Sequence, residues 1–180
     1  MITISYYQML VLISAIWILV RGICWYRAKT VDWKREAVLM LVYVCIVVVV
    51  RFTFCPFGKV NGQVQPLLFD ASQILPFWLN LTPFVYLFDY PNMKDALLNL
   101  IGNVAMFIPL GIVWPTVFSK LDCHWKVIAA GVGVSLCIEI LQLPFFARST
   151  DIDDVILNSA GYLMGYGIWL LSKRIRKHND

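Results

Sequence analysis

Long apolar runs separated by short polar stretches divide the chain into five candidate helices. They lie at about Ser5 to Cys24, Ala37 to Phe54, just after Lys94-Asp95 to about Phe118, Trp125 to Leu143, and from Asp151 or Asp153 to Leu171. Each is near the ~20 apolar residues that a helix needs to cross a bilayer. Between the second and third runs, Cys55 to Lys94 is apolar and aromatic in its second half. Pro66, Pro76, Pro83 and Pro91 cut it into pieces too short to span. This stretch is expected to form one or two short interfacial or re-entrant helices, with Trp78, Tyr86 and Tyr90 at headgroup level. The pattern predicts an all-α, polytopic membrane helix bundle of about five transmembrane helices plus those short pieces.

Composition strengthens this reading. Of 180 residues, 60% are hydrophobic and 14% charged, against about 25% charged in soluble proteins. The length suits a single membrane domain over residues 1–180. The formal charge of +4 is no sign of nucleic-acid binding, because the basic residues cluster beside the spans. The five cysteines are scattered, with no C-x-x-C pair and no histidine cluster. Neither a metal site, a disulfide nor a cofactor is expected. The first run lacks a basic leader and a small-residue cleavage site, so it is expected to be a retained helix. Arg27, Lys29, Lys34 and Arg35 follow the first run, Lys120 and Lys126 flank the start of the fourth, and a basic tail occupies residues 173–180. These three segments fall on one side of a five-span topology. The positive-inside rule then puts the N-terminus outside and the C-terminus in the cytoplasm.

The polar residues inside the spans converge in that topology. Arg51 is near the outer end of the second span, Asn99 and Asn103 share a face in the outer half of the third, and Glu139 and Gln142 close the fourth. Arg148 and Asp151 follow in the connection. Asp151, Asp154, Asn158, Gly161 and Gly165 then step by three and four, one helical stripe. At ~1.5 Å per residue each lies within roughly 12 Å of the outer boundary. The expected outcome is one outward-facing polar cavity lined by Arg51, Asn99, Asn103, Glu139, Gln142, Arg148, Asp151, Asp154 and Asn158. The plain alternative for Asp151, Asp153 and Asp154 is helix capping and favourable placement in a first turn, with Ser149 or Thr150 as the cap. Gly102 is expected to admit a close neighbour, Pro109 to kink the third span, and Gly161 and Gly165 to pack within the bundle. His124 and His178 read as solvated surface.

Three motifs carry a resemblance. Glu139-x-x-Gln142 continues into Arg148-x-x-Asp151-x-Asp153-Asp154-x-x-x-Asn158-x-x-Gly161-x-x-x-Gly165. Upstream stand Asn99-x-x-Gly102-Asn103-x-x-x-Phe107-x-Pro109-x-Gly111 and Asn80-Leu81-Thr82-Pro83-Phe84. Together they resemble the VanZ-like family of small bacterial integral membrane proteins, from about Arg51 to Gly165. The first span and basic loop lie outside the match. The resemblance implies a polytopic bundle of the bacterial cytoplasmic membrane that influences the envelope, in particular susceptibility to teicoplanin-type glycopeptides. It implies no established reaction and no catalytic residue.

Three classes of function remain. In the first, the cavity binds a lipid headgroup, a cell-wall lipid intermediate or a glycopeptide antibiotic. Arg51 and Arg148 would meet phosphate or carboxylate, the amides would supply neutral hydrogen bonds, and the acids would meet a cation. In the second, the protein is a membrane enzyme acting on a lipid-linked headgroup, with a buried carboxyl as acid or base or with Asp151, Asp153 and Asp154 around a divalent cation. The absence of a histidine in the cluster and of a nucleophile–base pair weighs against it. In the third, Arg51, Glu139 and Arg148 pair only to hold helices together.

Overall fold

The computed structural model describes residues 2–55, 59–60, 63–64, 66–74, 79–85, 93–118, 120–121, 123–146 and 150–179. Five helices are each long and apolar enough to cross a membrane: α1 Tyr6–Ala28, α2 Trp33–Phe54, α3 Met93–Val117, α4 His124–Gln142 and α5 Ile152–Asn179. The chain is a multi-pass membrane protein with an all-α bundle. The Val/Ile-rich run of α2 would favour strand in water. In hydrocarbon only the helix satisfies every backbone group within one segment.

Local chemistry sets the helix ends. Ser5 caps α1 in a reciprocal box with Gln8, whose amide N–H donates to the Ser5 hydroxyl at 3.3 Å. Lys29 ends it in the left-handed conformation at φ 56°, its N–H returning to the Trp25 carbonyl at 3.0 Å. The Asp32 carboxylate starts α2 by accepting from the amides of Lys34 and Arg35. α5 continues to Asn179, so the basic tail is an extension of the last helix.

The core forms around α3 and α5. Phe107, Leu110, Val127 and Tyr162 are almost fully buried there. A methyl added at Gly161 would collide with the Val104 carbonyl, one at Gly165 with the Ile108 carbonyl, and one at Gly111 with the Tyr162 carbonyl. The matched register of the first two pairs means that α3 and α5 run parallel at backbone contact. Gly161 and Gly165 therefore pack inside the bundle as expected. Gly102 does not have the expected close neighbour, since its Cβ direction is open; Gly111 makes the approach instead. α3 passes through Pro109 and Pro115 as one helix. α1 is peripheral, with none of its residues buried. It meets α2 through Ser14–Tyr43 at 2.7 Å, Trp17 on Tyr43, and an Arg21–Glu36 ion pair.

A small cap of paired backbone closes one end of the bundle. β1 (Ile2–Ile4) pairs antiparallel with β4 (Leu67–Phe69), and β2 (Lys59–Val60) with β3 (Gln63–Val64). β5 (Leu79–Asn80) pairs in parallel with β6 (Thr150–Asp151). The Asp70 amide donates to the Pro144 carbonyl at 2.8 Å and the Phe146 amide to the Leu68 carbonyl at 2.9 Å, so the α4–α5 connection is stitched to the same cap. The Cys55–Lys94 stretch thus differs from the helical expectation in its details. Among its described residues the only helical piece before α3 is a 3₁₀ turn at Ala71–Ile74, and short strands make up most of the rest. Strand pairing satisfies the backbone of pieces that the prolines keep too short for a spanning helix. Trp78, Tyr86 and Tyr90 lie outside the described residues.

Candidate functional site

The last turn of α4, the first turns of α5 and the N-terminal half of α3 bring carboxylates and amides together beneath this cap. Glu139 is 2% exposed and ties α4 to the strand that leads into α5. Its carboxylate accepts the Asp151 amide at 3.0 Å, and its main-chain carbonyl accepts the Thr150 hydroxyl at 2.9 Å. Asp151 takes the capping role assigned in sequence to Ser149 or Thr150: its Oδ1 accepts the Asp153 amide at 2.9 Å, two residues on. Ser149 lies outside the described residues, and the Thr150 hydroxyl is committed to α4. Asp151 also receives the Asn80 side-chain amide on both oxygens, each at 3.1 Å, alongside the β5–β6 pairing.

Capping accounts for one of the three aspartates only. Asp153 is buried and accepts the backbone amide of Phe84 at 2.9 Å. Phe84 stands in the left-handed region at φ 64°, a conformation that costs a bulky residue energy unless its surroundings fix it. Asp154 receives the Asn103 side-chain amide from α3, which also reaches Asn99 at 3.4 Å. The three carboxyls therefore point to three different elements: the cap, the Thr82–Val85 turn and α3. That divergence speaks against a shared cation between them, the arrangement that Asp-x-Asp-Asp suggests in sequence.

Deeper in the bundle, Asn158 is 1% exposed and donates to the hydroxyl of Ser135, which is 0% exposed, at 3.0 Å across the α4–α5 contact. Ser135 lies four residues before Glu139, and Asn158 four after Asp154, so each helix presents two polar groups one turn apart on one face. Gln142, also buried, donates to the Thr53 carbonyl at the end of α2 at 2.7 Å. The structure thus gathers Asn99, Asn103, Glu139, Gln142, Asp151, Asp154 and Asn158 at one end of the bundle, all but Asn99 bonded between elements, and Asn99 bonded to Asn103 within α3. Arg51 is at that end as well, but its described contacts are to the Cys55 carbonyl at 3.0 Å and to the ring of Tyr6, 5.5 Å from its centroid. Arg148, the expected partner of Glu139, lies outside the described residues.

Sequence reasoning missed four contributors: Ser135, Thr53, Asn80 and the Phe84 amide. Ser135 had a signal, its i,i+4 spacing from Glu139. Asn80 and Phe84 stand in the Asn80–Phe84 motif, which marked the segment but not its long-range contacts to Asp151 and Asp153, and Thr53 acts through a long-range contact that no local pattern announces. At the opposite end, His124 is exposed, as expected, and also has a specific partner, the Tyr166 hydroxyl at 2.8 Å from its Nδ1.

The pairing of Asn103 with Asp154 and the packing of Gly161, Gly165 and Gly111 fall on the motif positions, and the family profile described as VanZ/LLP1 matches residues 40–173. The chain belongs to the VanZ/LLP1 family. All of the VanZ-like site residues fall inside the matched span, which begins within α2 and leaves α1 outside. Protein VanZ of Enterococcus faecium is 35% identical over 96 residues, covering 53% of this chain and 55% of that protein. The chain thus matches about half the length of this curated relative. No solved structure matches significantly.

Proposed function

We propose that this VanZ-like protein acts in the bacterial cytoplasmic membrane as a non-catalytic modulator of the cell envelope, lowering susceptibility to teicoplanin-type glycopeptides. In this reading its N-terminus is outside and its C-terminus cytoplasmic, following the segregation of Lys and Arg. The carboxylate end of the bundle then faces outward and engages a lipid headgroup, a cell-wall lipid intermediate or the antibiotic. The observation that carries the reading is the assembly of Glu139, Asp151, Asp153 and Asp154 with four amide side chains from separate elements at one end of the bundle. A membrane protein bears the cost of polar groups at such a place for a structural or a functional return.

A second reading is favoured by specific bonds. Asn103–Asp154 and Asn158–Ser135 join α3 to α5 and α4 to α5, which is what a purely structural clamp would do. Asn103→Ala and Asn158→Ala separate the two in a glycopeptide-sensitive host, at matched membrane levels and with melting temperatures compared. Loss of teicoplanin protection at a parent-like melting temperature supports the ligand site. Full protection by both variants would leave the clamp as the better account.

A further inference from the structure

The other end of the bundle holds a cavity that the family motifs do not touch. It has a volume of about 460 Å³, lies between the C-terminal end of α1 and the start of α2, and is lined by Arg21, Arg27, Arg35, Asp32 and Glu36 together with Trp25 and Thr30. Both acids in its wall are already committed. Glu36 is gripped by Arg21, whose Nε donates to one carboxylate oxygen at 2.9 Å and whose Nη2 meets the other. Asp32 spends its Oδ1 on the amides of Lys34 and Arg35, at 3.0 and 3.2 Å. Arg27 and Arg35 thus line the cavity without a direct ion pair among the described residues, and the arginines of its wall outnumber its two acids, Asp32 and Glu36.

The depth of the cavity follows from its aromatic rim. Trp25 pairs with Trp33 across the α1–α2 loop, ring centroids 6.3 Å apart, and tryptophans at helix ends sit at the level of lipid headgroups. α1 beside it has no buried residue and exposes Leu19, Val20 and Ile23, an apolar flank along which acyl chains can lie.

We propose that this cavity binds the phosphate of an anionic phospholipid headgroup, with Arg27 and Arg35 as the anion clamp and the Trp25–Trp33 pair fixing its depth. A guanidinium offers a planar fork that matches phosphate oxygens two at a time, which an ammonium does not. The competing account is diffuse attraction between a basic protein end and an anionic surface. It predicts that any two exposed basic residues near that surface matter equally.

The experiment uses the full chain in phosphatidylcholine nanodiscs doped with phosphatidylglycerol, with retained lipid counted by native mass spectrometry. The parent is expected to hold one phosphatidylglycerol in preference to phosphatidylcholine. Arg27→Gln/Arg35→Gln should weaken that preference at least tenfold, while the tail control Arg174→Gln/Lys177→Gln stays within twofold of the parent. Equal losses in the two double variants, or no headgroup preference in the parent, would overturn the proposal. Arg27→Lys/Arg35→Lys keeps the charge and serves if the Gln variant fails to fold; parent-like retention in it would overturn the clamp. Millimolar inorganic phosphate is expected to leave the lipid in place, and displacement would make this a free-phosphate site instead.

Discussion

Tyr162 places a hydroxyl in the buried core of the bundle, with its ring against Gly131 and edge-on to Trp114. Among the described residues that hydroxyl has no hydrogen-bond partner, and neither has the Asn158 Oδ1 one turn earlier. A buried donor without a partner forfeits its solvation, at roughly 1–3 kcal/mol. Tyr162→Phe keeps the ring and removes the orphan, so stability in a detergent unfolding titration is expected to stay level or rise by about 1 kcal/mol. A clear loss would show that the hydroxyl is bonded. Asn103 gives the opposite case, because its amide is engaged with Asp154. Asn103→Ala should cost only about 0.6 kcal/mol, the average for interhelical hydrogen bonds in membranes. Asn103→Asp sets a second carboxylate against Asp154 and should cost several times more, since a charged Asp at a span centre alone carries roughly 2.5–3.5 kcal/mol. Comparable losses for the two would mean that the amide's hydrogen bonds, not the local charge, dominate there.

Between elements, the decisive contact is the parallel packing of α3 on α5. Three glycines bring backbone against backbone, and each blocked Cβ would meet a carbonyl oxygen that cannot swing aside as a side-chain tip can. Gly161→Ala, Gly165→Ala and Gly111→Ala must therefore push the helices apart, at about 1–3 kcal/mol or more each. Gly102→Ala and Gly167→Ala meet open space and gain helix propensity of up to about 1 kcal/mol. Melting the five variants side by side tests this, and equal behaviour across them would contradict the packing. The helices were legible in the sequence because length and apolarity are local properties. The cap was not, for a physical reason. Strands of two or three residues carry no periodicity, and their partners are remote: β1 pairs with β4 and β5 with β6 across some 65 to 70 residues of chain. The site was legible in part. The stripes Asn99/Asn103 and Asp154/Asn158 gave the right faces, yet the residue that meets Asn158 is Ser135, a small hydroxyl that reads as filler in an apolar run.

At the scale of the whole molecule, the two ends differ in chemistry as well as in sequence. β1, the Leu67–Phe69 strand and Phe145 are joined to one another at the carboxylate end, so the N-terminus and the α4–α5 connection share one side of the membrane. The α1–α2 loop and the C-terminal turns of α5 lie at the other and carry Arg27, Lys29, Lys34, Arg35, Lys173, Arg174, Arg176 and Lys177. In the orientation proposed above, which follows the positive-inside rule, the second end is the cytoplasmic one. All five native cysteines are free, so replacing them removes no described cross-link and gives a clean background for labelling. Single cysteines at Gly62 and Ser149, both outside the described residues, are expected to react with a membrane-impermeant maleimide in intact cells. Single cysteines at Thr30 and Lys177 are expected to react only once the membrane is opened. The reversed pattern would turn the carboxylate end toward the cytoplasm. An externally acting glycopeptide could then not reach it, and the outward-facing site would fall while the helix packing stood unchanged.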